Sequence, residues 1–303
     1  MTTTFSPLGI AAGLSAATIW GGAIAVTRLA VSGDASLGPT DIAMLRFAGP
    51  ALLLLPVLRR AWPRLRQVSP WLLALLLAGG GAPFVLVAGR GLSIAGAAEA
   101  GALLPGTVPL CVVLVSLLMG ERMRPLRLAG LAMIGAAVAV IVLPAIMGGT
   151  AADPAGYLLL LLAALLAAGY TIALRRSGIG AWEAAAFVSA GSIAGLGPLY
   201  VFGMEAGVLA VPLRDVVMQA AFQGLGSGIL APVAFAAAVR RLGASQAAAF
   251  GSLSPGAACA GGFALLGEVP DGLSLMAVIA ACLGVVLLAR SSDGAGAHHR
   301  AAA

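Results

Sequence analysis

Ten apolar stretches succeed one another along the chain with almost nothing between them. They lie near 8–30, 39–58, 70–90, 94–118, 126–146, 155–174, 182–203, 214–239, 243–266 and 272–290. About 20 apolar residues suffice for a helix to cross a bilayer. In hydrocarbon every amide must bond within its own helix or around a closed barrel. The short alternating segments of a barrel are missing, so the expected fold is all-α and membrane-embedded, with ten transmembrane helices. Only 9% of the 303 residues are charged and 61% are hydrophobic. A soluble domain carries roughly a quarter charged residues, which excludes that class. The first stretch lacks the basic flank and the cleavage site of a signal peptide, so it is expected to stay as a helix.

The net charge of +6 comes from arginine, because the chain has no lysine. Arg59, Arg60, Arg64 and Arg66 fall in one connection, and Arg122, Arg124 and Arg127 in another. Arg175 with Arg176, Arg240 with Arg241, and Arg290 with Arg300 follow at alternate connections. Arg28, Arg90 and Arg214 are left for the opposite side, where Asp34, Asp41, Asp153, Glu205, Asp215, Glu268 and Asp271 gather. The positive-inside rule then places both termini in the cytoplasm. Basic patches can mark nucleic-acid binding, but arginines at helix ends serve membrane orientation, and no nucleic-acid partner is expected.

The two halves of the chain resemble each other. AGALLPGTVP at 100–109 aligns with FGSLSPGAAC at 250–259, which superposes Pro105-Gly106 on Pro255-Gly256. Gly120-Glu121 matches Gly267-Glu268. Basic connections in one half correspond to bare or acidic ones in the other, as an odd number of helices per unit requires. The expected organisation is therefore a five-helix repeat at 1–150, an inverted five-helix repeat at 151–291 and a disordered tail at 292–303. Inverted repeats are a known route to alternating access around one solute site.

Further motifs carry a family likeness: IWGGAIAVTR at 19–28, PTDIAMLRFAGP at 39–50, EAGALLPGTVPL at 99–110 with GER at 120–122, and AFGSLSPG with GE in the second half. Together they resemble the drug/metabolite transporter superfamily in its ten-helix EamA-type branch. The likeness is strongest to exporters of aromatic amino acids and of some cationic compounds. It implies a central cavity lined by helices one, three, four, six, eight and nine, and efflux of small solutes. The small four-helix relatives carry a proton-coupling glutamate in helix one. This chain has no acid there, so gradient-driven facilitated export is the expectation.

Candidate solute-binding residues are those that are rare or costly inside a span. Trp20, Phe84, Tyr170, Phe222, Phe235 and Phe250 lie deep in helices that the family turns to its cavity. Aromatic walls stack apolar solutes or face cations, or else simply pack. Pro83, Pro105 and Pro255 each remove a backbone hydrogen bond and favour a kink. Pro105-Gly106 and Pro255-Gly256 are the expected gating pair. Leu103 lies beside the first of them. Gln219, Gln223 and Gln246 either hold a solute's polar groups or tie helices together. Glu99 either binds a solute amine, carries a proton, or lies in solvent at the helix end. Arg46 reads as a side chain reaching the interface, or as a partner of Asp41 or Glu99, ahead of solute contact.

Other classes fit poorly. The histidines, His298 and His299, lie in the tail, so an intramembrane Ser-His hydrolase or His-ligated metal centre has no base or ligand. Cys111, Cys259 and Cys282 lie inside apolar runs at spacings that suit neither a metal nor a disulfide. No cofactor or metal is implied, and an enzyme is not expected. Glycine, at 42 residues, is about twice its usual share of roughly 7% and suits tight helix packing. The sequence reading is a multi-pass transporter of a bacterial inner membrane, acting as a monomer on small amphipathic metabolites, aromatic or hydrophobic amino acids first. Drug or cation efflux is the alternative, and a membrane-embedded enzyme a remoter one.

Overall fold

The computed structural model describes residues 6–32, 37–118, 125–148, 153–203, 207–242, 247 and 250–300, with side chains 113, 115–118, 127 and 289–300 left aside. Among the described residues the chain is helical and has no strand. The elements in order are α1 (Pro7–Val31), α2 (Pro39–Leu53), α3 (Leu55–Leu65), α4 (Pro70–Gly80), α5 (Ala82–Ile94), α6 (Ala97–Leu118) and α7 (Pro125–Ile146). Then come α8 (Pro154–Ser177), α9 (Ala181–Gly203), α10 (Leu213–Gln219), a π-helical segment (Ala220–Leu230) and α11 (Ala231–Leu242). The chain ends with α12 (Ser254–Leu266) and α13 (Gly272–Arg300). The last turns of α13, 292–300, fall in the stretch expected to be a disordered tail.

Among the described residues six helical stretches are long and apolar enough to cross a membrane, or seven if the bent pair α2–α3 is one span. Three more apolar helices, Ala97–Val112, Ser254–Leu266 and Gly272–Leu288, are shorter. Helix ends follow local chemistry. Ser6 Oγ accepts the Gly9 N–H, and Pro7 fills the first helical turn of α1. Asp153 does the same for α8, and α8 stops at Gly178, whose φ of 68° suits a residue without a Cβ. Asp271 Oδ1 accepts the Ser274 N–H at 2.7 Å at the start of α13, and this backbone bond holds the carboxyl below its ordinary range.

Two interior breaks shape the bundle. The expected second span bends by 83° at Leu54, because Pro56 cannot donate back across the junction. Arg59, Arg60, Arg64 and Arg66 therefore lie on or just past the short helix α3, with Trp62 half-exposed and the Arg66 guanidinium 5.4 Å from its ring. The expected third span is interrupted at Gly81, between α4 and α5. Pro83 thus lies in the first turn of α5, where its missing N–H costs nothing, and the break comes just before it. Ser192 Oγ of α9 accepts the Ala82 N–H at 2.9 Å and so satisfies an amide that the break frees.

Helices meet where side chains are smallest. A methyl group at Gly79 would overlap the Leu166 carbonyl of α8, and one at Gly80 would come within 2.7 Å of the Tyr170 ring. α12 wedges between α1 and α6: a Cβ at Gly21 would overlap the Ser254 carbonyl, and one at Gly101 would lie 2.7 Å from Ala258 Cβ. α7 and α13 cross with Gly130 against Gly284, each Cβ position within 3 Å of the other's carbonyl. Without water between them, membrane helices gain mainly from contact, and contact this close needs glycine.

We expect Gly79→Val to lower detergent-phase stability by about 2 kcal/mol or more, because the added carbons meet backbone that cannot yield. Gly135, with nothing within 4 Å of its Cβ position, is the control, and Gly135→Ala should leave the thermal midpoint of the purified protein unchanged.

Candidate functional site

A cavity of about 200 Å³ lies where α1, α2, α5, α6, α8 and the π segment converge. Its wall is mainly apolar: Trp20, Ala23 and Ile24 from α1, Ile42 from α2, Phe84, Val85, Ala88 and Leu92 from α5, Leu104, Pro105 and Val108 from α6, and Ala167 from α8. Its polar groups are Thr27, Arg46, Gln223 and Ser227. From the second half, only Ala167, Gln223 and Ser227 reach it among the described residues.

The π segment supplies half of the polar side, and α1 and α2 supply Thr27 and Arg46. Gln223 is fully buried, and its Nε2 donates to Thr27 Oγ1 at 2.6 Å and to the Ala23 carbonyl at 3.2 Å. Gln219, one turn before, donates to the Val26 carbonyl at 2.7 Å. Both glutamines thus tie this helix to α1. With its amide nitrogen so engaged, Gln223 turns Oε1 to Arg46, whose Nη1 donates to it at 3.1 Å. A π stretch inside an α-helix is uncommon and concentrates at functional sites. Here it brings Gln223 and Ser227 to the same cavity.

Just beyond Thr27, Arg28 closes one end of this region. Its Nε pairs with Glu268 Oε1 at 2.8 Å, and its Nη1 donates to the Leu92 carbonyl at 2.7 Å. Glu268 Oε2 accepts the Ala97 N–H at 2.8 Å. One ion pair therefore joins α1, α5, the start of α6 and the residue that follows the α12 cap, at Leu92, which also lines the cavity.

The sequence candidates separate in space. Trp20, Phe84, Pro105 and Gln223 line the cavity. Phe235 stands behind Trp20, with ring centroids 5.5 Å apart. Pro83 points to the exposed side of α5, and Leu103 is fully buried in the core. Tyr170 covers Gly80 and Phe250 covers Gly13, so these two rings fill helix contacts, while Phe222 lies by Gly22 with its side chain exposed. Gly106 faces Ala281 of α13, Pro255 is fully buried near Gly101, and Gly256 has open space at its Cβ position. Pro105 sits inside unbroken α6, while Pro255 sits in the first turn of α12, so the expected pair is locally unlike. Glu99 lies in a separate cleft with Tyr157 and Asp271, and accepts from Ser274 Oγ at 3.0 Å. Gln246 lies outside the described residues.

Several residues of the site were not anticipated, Thr27 and Ser227 among them. Arg46 turns inward to Gln223, where an interfacial position or a pairing with Asp41 or Glu99 had been expected. Asp41 is instead engaged by the Gly38 N–H and the Tyr200 hydroxyl. The signal for Arg46 was present, since it is an arginine within a span. The Arg28–Glu268 pair joins residues 240 positions apart, and no local pattern shows it. Helix two lines the cavity, which was not expected, and among the described residues helix nine does not: α12 packs between α1 and α6.

Comparison with known proteins decides the family. Residues 7–143 and 154–290 each match the EamA-like transporter family. The chain belongs to that family. It is accordingly a multi-pass membrane protein built from two EamA repeats, in a family that transports small solutes. A solved structure described as "Crystal structure of protein" is similar over 93% of this chain and 97% of its own, with 25% identity and a TM-score of 0.60. No curated protein matches the chain.

The Arg28 clamp has a measurable coupling. Arg28→Ala and Glu268→Ala should each lower the thermal midpoint, and the double variant should lose less than the sum, with a coupling of about 1 kcal/mol. Additive losses in the double-mutant cycle would show that the two side chains act separately.

Proposed function

We propose that this EamA-family protein exports small amphipathic metabolites, aromatic or hydrophobic amino acids first among them, across a bacterial inner membrane. The bent pair α2–α3 and the three shorter apolar helices complete ten spans in two inverted sets of five, with both termini in the cytoplasm. The halves rock around the cavity, Pro105-Gly106 and Pro255-Gly256 take part in gating, and the solute moves down its own gradient. The observation that carries this reading is the cavity itself. It has an aromatic and aliphatic wall around Trp20 and Phe84, and four polar residues, Thr27, Arg46, Gln223 and Ser227. That division suits a solute with an apolar body and a polar head.

Size favours metabolites over drugs. Pockets for drug-sized ligands run to roughly 300–1,000 Å³, and this cavity is about 200 Å³. Chemistry separates a carrier from a channel: a carrier saturates, and solute on the far side accelerates exchange.

Purified protein in proteoliposomes should show saturable, counterflow-stimulated uptake of phenylalanine or leucine. Trp20→Ala and Phe84→Ala should each reduce transport efficiency by about tenfold, the effect of losing one buried aromatic contact. Non-saturable flux, or flux indifferent to both substitutions, would overturn the reading.

A further inference from the structure

We propose that Arg46 is the anion-recognising group of the cavity, so that the solute must carry a carboxylate, while an amine is dispensable. This deepens the transport reading above and rests on it.

Four observations converge. First, among the described residues that line the cavity, Arg46 is the one formal charge. Second, the carboxylates of Asp41, Glu268 and Glu99 are engaged elsewhere. Asp41 bonds the Gly38 N–H and the Tyr200 hydroxyl, Glu268 pairs with Arg28 and the Ala97 N–H, and Glu99 accepts from Ser274 in another cleft. Among the described residues no carboxylate lies within ion-pair distance of Arg46. Third, its partner is neutral and immobilised: Gln223 offers one oxygen, and its nitrogen is fixed by Thr27 and Ala23. A guanidinium has five N–H donors in a planar fork, so most of them remain for a solute. Fourth, backbone packing puts it there. Gly224 has its Cβ position 3.0 Å from the Leu45 carbonyl, and Gly228 has its own 3.3 Å from Pro50, so α2 lies against the π segment at the level of Arg46.

A charge in a membrane interior is costly unless it is paired. A bound carboxylate supplies that pairing, and the guanidinium fork fits it bidentately. The apolar body of the same solute then meets Trp20, Phe84 and Leu92. A cationic solute would meet repulsion from Arg46, with no lining acid among the described residues to offset it. Likewise, none of the described lining residues is an acid that would await the ammonium of an amino acid. Simple aromatic acids should therefore bind at least as well as amino acids, and amines poorly.

The test uses the full chain in detergent, with Trp62, Trp71 and Trp182 replaced by phenylalanine so that Trp20 reports binding. These three indoles are 45%, 70% and 44% exposed, so the replacements disturb little packing. Titration with 3-phenylpropionate, phenylalanine and 2-phenylethylamine should give both carboxylates at least about tenfold tighter binding than the amine, the effect of one charge-assisted contact. Arg46→Gln should remove that preference, and Arg46→Lys should keep part of it. If Arg46→Gln does not fold, the comparison of the three probes on the Arg46-containing protein still decides. Equal or tighter binding of the amine, no binding of either acid, or an unchanged preference in Arg46→Gln would overturn the proposal. Flux in proteoliposomes separates the two readings. Carboxylate-selective binding without flux would sink the transport reading and leave this one, whereas equal, saturable flux of all three probes would do the reverse.

Discussion

How closely two helix backbones can approach decides the architecture of this protein. Lipid gives apolar helices no hydrophobic reason to leave it, so packing contact must hold the bundle. At Gly79, Gly21 and Gly101 the neighbouring helix occupies the space a side chain would need. The same device at Gly224 and Gly228 brings α2 against the π segment. The cavity is the remainder of this packing. There the larger Trp20, Phe84, Leu104 and Val108 hold the helices apart, and Ala23, Ala88, Gly89 and Ala167 leave the space between them open.

Charge is handled in two ways within that frame. Arg28 is fully provided for, with the Glu268 carboxylate and the Leu92 carbonyl, and its surroundings remain partly open to water at 17% and 26% side-chain exposure. It reads as a fastening between helices. Arg46 has a neutral partner and faces the cavity. A protein that needed only stability would replace such a group, since an unpaired internal charge is a net cost. The difference between the two arginines is one of partners: Arg28 has a carboxylate, and Arg46 has a neutral amide.

The fold was legible in the sequence because its signals are local and large. Run length and apolarity predict helices almost everywhere the structure has them, and the matched PG and GE motifs anticipate the two repeats. The helix breaks were less legible. Pro83 pointed to a kink and the break falls just before it at Gly81, whereas Leu54 interrupts a stretch read as one span, because hydropathy averages over the bend. The site was legible in part. Trp20, Phe84, Pro105 and Gln223 were named because their residue types are unusual at depth. Tyr170 and Phe250 have the same character, yet they cover glycines on other helices, and which way a ring points depends on helix rotation.

By itself, then, the sequence determined that the chain enters a membrane as helices and that its two halves are related. The first follows from run length and apolarity, the second from matched motifs and the alternation of charged connections, and all of these are read along the chain. Only the tertiary structure decided which residues share a cavity, that Arg46 faces inward to Gln223, and that Arg28 meets Glu268 across the chain. Those facts depend on the rotation and depth of each helix relative to the others. Contacts between glycines and backbone carbonyls far apart in sequence set that rotation and depth.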